Sequence, residues 1–207
     1  RVTGNPIRAA FLAEEPAQKT DARFTILVFG GSQGAHRINR FVGEALPHLG
    51  QEKERLRFIH QTGEKEREDM EKAYREAGFT AEVQPFIVDM AAAYREADLL
   101  ICRAGATSIA EITAAGKAAV LIPFPFAAGD HQTANAEILA RAGAAELIPE
   151  RDLSGPRLAT AIERLSREPE AIRRMEAAAA ALGSRRAAQE IVDACLALVG
   201  NRSSGRR

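Results

Sequence analysis

Apolar residues in this chain gather in short runs, and between the runs they recur every three or four positions. The runs cover residues 24–29, 56–61, 81–86, 99–102, 118–122 and 145–148, and each reads as a strand. After the first, Ile38, Phe41, Val42, Ala45, Leu46 and Leu49 share one helical face. Residues 64–77 predict a charged helix ended by Gly78, and residues 90–96 a short one with Asp89 as N-cap. Thr107-Ser108 opens a helix that stops at Gly116, and residues 134–142 form another, stopped by Gly143. Three closing helices are expected over 156–166, 169–182 and 187–199.

Strand and helix thus alternate about six times. That order implies an α/β fold, a doubly wound parallel sheet covered by helices on both faces. Residues 1–20, with Gly4 and Pro6, read as a linker entering the domain, 21–199 as the domain, and 200–207 as a solvated basic tail. The first residue is not Met, so the chain is expected to be a piece of a longer protein.

In such a sheet ligands sit at the carboxyl ends of the strands, and the polar positions fall there. Gly-Gly-Ser-Gln-Gly-Ala at 30–35 joins the first strand to a helix, an arrangement that aims free N–H groups at an anion. No Lys-Ser/Thr follows its last glycine, and the spacing is not G-x-G-x-x-G, so a phosphate loop and a tight βα turn both fit. Residues 30–35, 86–90 and 103–111 converge if the sheet is parallel. Two of them begin helices whose positive ends could face one diphosphate. Glu111, one turn into its helix, suits two vicinal hydroxyls or the helix dipole. Gln132 and Asn135 suit sugar hydroxyls or capping, and Arg8 a phosphate or solvent.

Composition narrows the partners. Lys+Arg and Asp+Glu stand at 28 each, so no bulk field draws nucleic acid or anionic lipid. No run is long enough to span a membrane, and no signal peptide is expected. Cys102 and Cys195 lie in apolar stretches and are expected to be buried thiols in a reducing compartment. His36, His48, His60 and His131 are scattered, with no zinc spacing and no G-x-S-x-G, so neither a metal site nor a hydrolytic triad is expected.

Four segments carry a resemblance: residues 30–35, residues 86–94 (Phe-Ile-Val-Asp-Met-Ala-Ala-Ala-Tyr), residues 102–111 (Cys-Arg-Ala-Gly-Ala-Thr-Ser-Ile-Ala-Glu) and residues 130–136 (Asp-His-Gln-Thr-Ala-Asn-Ala). In this order and spacing they resemble the C-terminal half of the MurG family of peptidoglycan glycosyltransferases, from Val2 to about Val199. The resemblance implies a GT-B architecture, two Rossmann-like domains about a cleft, of which this chain would be the donor-binding one. It implies transfer of N-acetylglucosamine from its UDP donor to undecaprenyl-pyrophosphoryl-N-acetylmuramoyl-pentapeptide, inverting and without metal or other cofactor.

By the same resemblance the main chain at Ile87 would meet the uracil, with Phe86 and Met90 beside it, and Glu111 the ribose. Arg8 and Ser32, with Gly31, Gln33 and Gly34, would lie near the diphosphate and sugar, and Ala106, Thr107 and Ser108 would cap the diphosphate. Gln132, with His131 and Asn135, would meet the sugar hydroxyls. The catalytic base, the acceptor contacts and the membrane-facing patch would belong to an N-terminal domain outside this chain. The full enzyme would sit on the cytoplasmic face of the inner membrane. A free-standing catalytic subunit with a membrane partner, a non-catalytic UDP-sugar-binding domain and a UDP-sugar epimerase are the other readings.

Overall fold

A computed structural model describes residues 2–12, 21–31 and 35–203, with side chains through 199. Its centre is a single sheet of six parallel strands: β1 (Phe24–Phe29), β2 (Leu56–Gln61), β3 (Thr80–Gln84), β4 (Leu99–Cys102), β5 (Ala119–Leu121) and β6 (Ala145–Leu147). They lie in the order β3-β2-β1-β4-β5-β6. The winding therefore reverses between β1 and β4, which pair with Phe29 opposite Cys102, and such a reversal leaves a crevice beyond the strand ends.

Eight helices cover the sheet among the described residues: α1 (His36–Ala45), α2 (Arg67–Ala77), α3 (Met90–Glu96), α4 (Ala106–Ala115), α5 (His131–Arg141), α6 (Gly155–Arg167), α7 (Pro169–Leu182) and α8 (Ala187–Ser203). Successive strand residues point to opposite faces. Ile26, Val28, Phe58, Leu99 and Ile101 pack into one core with residues of α1, α2 and α6. Leu27, Phe29, Ile59, Leu100 and Cys102 pack into a second core with residues of α3, α4 and α5. Both faces being buried is why the strands are continuous apolar runs instead of alternating ones. Each of these side chains contributes about 1.5–3 kcal/mol of burial. Helix α7 joins the cores, placing Ile172 in the first and Ala179 in the second.

Local chemistry sets the element ends. Gly78 and Gly116 close α2 and α4 in the left-handed region, at φ 77° and 61°. Asp89 caps α3, its carboxylate accepting from the Ala92 N–H at 2.9 Å. Strands β1, β2 and β4 have the expected bounds, whereas β3 ends at Gln84 instead of running on to residue 86. Pro85 follows and has no N–H for the ladder. Helix α5 begins at His131, earlier than its apolar spacing suggests, because Gly129 and Asp130 turn the chain into it at φ 60° and 52°.

The entry segment runs without regular structure from Val2 to Arg8, then makes one 3₁₀ turn, Ala9–Phe11. It is docked on the domain: Phe11 is buried edge-on against Tyr94, ring centroids 5.0 Å apart, and Arg185 donates to the Leu12 carbonyl at 2.8 Å. Of the cysteines, Cys102 is buried as expected, but Cys195 is exposed. Its apolar neighbours Leu196 and Leu198 are exposed as well, so the apolar stretch there does not mark a core position in this chain. No helix is long and apolar enough to cross a membrane among the described residues.

Candidate functional site

A cleft of about 520 Å3 opens at the carboxyl end of the sheet. The three converging segments build it, and the entry segment adds a fourth side. From the turn after β1 comes Gly31, at φ 111°, a conformation that favours glycine. Its neighbour Gly30 has no room for a side chain: a Cβ there would lie 2.0 Å from that of Ala35. Ser32, Gln33 and Gly34 lie outside the described residues. The loop after β3 brings Phe86, Ile87 and Met90, with Ile87 buried and Phe86 half exposed. Helix α4 brings Thr107, Ser108 and Glu111, and the entry segment Pro6, Ile7 and Arg8.

Charge is arranged along one wall. The N-cap of α4 is Gly105, which offers no side chain, so among the described residues the first N–H groups of the helix, at Ala106, Thr107 and Ser108, have no capping acceptor. That end carries the positive pole of the helix. One turn on, the Glu111 carboxylate is almost fully buried and receives the Arg8 guanidinium at 3.2 Å, while the Arg8 side chain itself is 59% exposed. Burial pushes the Glu111 carboxyl above the usual range, and Arg8 offsets this only in part. Behind it the Tyr94 hydroxyl is buried and finds no hydrogen-bond partner among the described residues, and burial holds its proton on.

Gln132, His131 and Asn135 do not line this cleft but brace its edge. Gln132 Oε1 accepts from the N–H groups of Ala104 and Phe124, at 3.2 and 3.0 Å. Asn135 Nδ2 donates to the Ala104 carbonyl at 3.0 Å, and His131 Nδ1 contacts the Ala128 carbonyl at 2.7 Å. All three contact the main chain of the turns around β4 and β5, and for Gln132 and Asn135 this is the loop hydrogen bonding that residue type left open beside a sugar contact. The turn that Gln132 and Asn135 hold leads straight into the open end of α4.

Two buried polar residues escaped the sequence reading: Gln61, which lines the cleft, and Arg103, which does not. Arg103 is buried, donates to the carbonyls of Ile122 and Pro123, and lies 2.6 Å from Glu150 Oε2. Its signal was a lone cation ending an apolar strand. Gln61 is the last residue of β2, and its carboxamide receives the Ile87 N–H at 2.9 Å. The Ile87 carbonyl is left without a partner among the described residues. A glutamine closing an apolar run beside a glycine was the available clue. No group of three potential metal ligands occurs among the described residues.

The sequence profile of the glycosyltransferase family 28 C-terminal domain matches residues 25–191. The chain is similar to the UDP-N-acetylglucosamine–N-acetylmuramyl-(pentapeptide) pyrophosphoryl-undecaprenol N-acetylglucosamine transferase of Syntrophus aciditrophicus. The two are 59% identical over 199 residues, 96% of this chain and 55% of that protein. It is also similar to the crystal structure of Acinetobacter baumannii MurG, with a TM-score of 0.76 and 38% identity over 86% of this chain and 53% of that one. A putative UDP-N-acetylglucosamine 2-epimerase from Listeria monocytogenes superposes with a TM-score of 0.64 over 87% of this chain and 46% of that one. At 16% identity it shares the architecture alone. The chain thus spans about half the length of the curated relatives it matches.

Proposed function

The chain belongs to the glycosyltransferase family 28 C-terminal domain family, and from that premise we propose that it is the donor-binding half of a transferase that moves N-acetylglucosamine from UDP to a lipid-linked acceptor. The proposed acceptor is undecaprenyl-pyrophosphoryl-N-acetylmuramoyl-pentapeptide, the class of substrate in the names of its relatives. Residues 21–199 would form the nucleotide-sugar domain, 1–20 the entry from a preceding domain and 200–207 a tail. That preceding domain would supply the catalytic base and the contact with the cytoplasmic face of the membrane.

The observation that carries the reading is the pairing, in one cleft, of an uncapped helix end with a buried carboxylate one turn away. The helix end attracts a diphosphate through aligned N–H groups, and the carboxylate accepts from two ribose hydroxyls. Their spacing follows the order of a nucleoside diphosphate. The Ile87 carbonyl would accept from the uracil N3–H, beside Phe86 and Met90. Arg8 would swing from Glu111 to the phosphates, and Ser32, Gln33 and Gly34 would be near them. Gln132 would use its remaining N–H groups on the sugar, next to His131 and Asn135.

Transfer with inversion needs the UDP oxygen to leave as the acceptor hydroxyl attacks from the other side of the anomeric carbon. In this proposal the α4 N-terminus and Arg8 take up the charge that develops on the leaving diphosphate, with no metal required. Calorimetric titration with UDP-N-acetylglucosamine, UDP-glucose and a GDP-sugar, each with and without EDTA, tests this. Uridine-selective binding that EDTA leaves unchanged is expected. Equal binding of the GDP-sugar, or binding lost with EDTA, would count against it.

A further inference from the structure

We infer that Gln61 is a positioning residue for the donor nucleotide, holding the base-side and phosphate-side walls of the cleft at a fixed separation through one buried carboxamide. The inference rests on the donor-site reading above. Strand β2 lies between β1 and β3, and Gln61 is its last residue, paired in register with Phe29 on one side and Gln84 on the other. Both neighbouring strands then run into cleft loops. Gln61 is 1% exposed, and its two ends reach one loop each. Nε2 donates to the Gly31 carbonyl at 2.7 Å, and Oε1 accepts from the Ile87 N–H at 2.9 Å.

This bridge links two loops that have no other direct hydrogen bond to each other among the described residues. It also has chemical polarity. A carbonyl on one side and an N–H on the other demand a group that donates and accepts at once, across the length of a glutamine side chain. Asparagine is one carbon too short, glutamate lacks the donor when ionised, and leucine has neither. The strand end behind it cannot swing to compensate. Neighbouring His60, fully buried, is held between the Tyr74 hydroxyl and Asn39 Oδ1, each at 3.0 Å, and Thr62 donates through Oγ1 to the Gly63 carbonyl. Through the Ile87 N–H, Gln61 sets where the Ile87 main chain stands, the group proposed to meet the base.

The test compares this chain with Gln61→Leu, Gln61→Glu and Glu111→Ala, titrating each with UDP-N-acetylglucosamine, UDP and CDP well below its melting temperature. Gln61→Leu is expected to weaken UDP-N-acetylglucosamine by about tenfold, the equivalent of losing one to two net hydrogen bonds, and to lower the preference for UDP over CDP. A purely structural role would lower the melting temperature and leave that preference unchanged. Gln61→Glu should bind poorly at pH 8 and approach the parent chain as the pH falls to about 5.5, because a buried carboxyl regains its proton early and can then donate to Gly31. Comparing variant and parent at each pH cancels the titration of Glu111, which both share.

A folded Gln61→Leu that binds within twofold of the parent, with unchanged base preference, overturns the inference. If Glu111→Ala still loses binding in that series, the donor-site reading survives it. Should Gln61→Leu fail to fold, a Gln61→Glu ratio that stays flat with pH overturns it equally. A parent chain that binds no uridine nucleotide overturns both readings together.

Discussion

Replacing Glu111 should separate stability from binding, because the fold disfavours this charge and the proposed ligand needs it. Its carboxylate is buried, and its one cationic partner among the described residues, Arg8, is 59% exposed. An ion pair with one partner in water is worth at most about 1 kcal/mol, too little to cancel the desolvation that raises the carboxyl pKa. The folded chain therefore holds the Glu111 proton more tightly than the unfolded chain does. It follows that this residue costs stability progressively as pH rises from the unfolded value through the raised folded one. Glu111→Gln removes that cost, so at pH 8 its melting temperature should equal or exceed the parent's, and the difference should vanish in acid.

Binding should move the other way. Trading a charged acceptor for a neutral one costs about 1–1.5 kcal/mol, roughly tenfold in Kd. Glu111→Ala, which would remove both proposed ribose hydrogen bonds, should cost about 3 kcal/mol, or roughly 150-fold. Donor affinity of the parent should also fall as pH drops through the raised Glu111 pKa, where the proton competes with the ribose hydroxyls. Calorimetry at pH 5.5, 7 and 8, with thermal unfolding by circular dichroism at the same values, reads all of these. A Glu111→Gln variant that melts several degrees lower at pH 8, or binds UDP-N-acetylglucosamine as tightly as the parent, would refute the reasoning.

Gly30→Ala should lose donor binding while far-ultraviolet circular dichroism stays native, since its Cβ would force Ala35 to shift. Tyr94→Phe should leave the melting temperature unchanged or raise it by a few degrees, because the buried hydroxyl it removes has no partner among the described residues; a drop of several degrees would mean that the hydroxyl is bonded in solution. Under native conditions a maleimide should label one thiol, Cys195, and a second only after unfolding. Cys102 is fully buried, and burial pushes its thiol well above the ordinary range.

The sequence by itself determined the elements, their order and the end of the sheet where chemistry gathers. Strands β1, β2 and β4 are legible to the residue because a strand buried on both faces must be apolar throughout and must stop where polar or turn residues begin. Gly78 and Gly116 were legible as helix ends because a left-handed backbone is a local demand. So were the cleft segments at 30–35, 86–90 and 103–111, since a parallel sheet sends every strand's carboxyl end to one side.

Only the tertiary structure decided which groups meet there. Arg8 and Glu111 stand 103 positions apart, and nothing in the neighbourhood of either records the other. Gln61 is 30 residues from Gly31 and 26 from Ile87, and it becomes a bridge only because β2 is the middle strand of three. Gln132 and Asn135 carry the same chemistry whether they face a sugar or a turn, and their contacts with Ala104 follow from the pairing of β4 with β5. Cys195 shows the opposite limit: its apolar stretch promised burial, yet its thiol is exposed, as are Leu196 and Leu198. Periodicity encodes how a segment meets its immediate surroundings, whereas the partners of a polar side chain depend on strand order, which residues far apart in the chain set jointly.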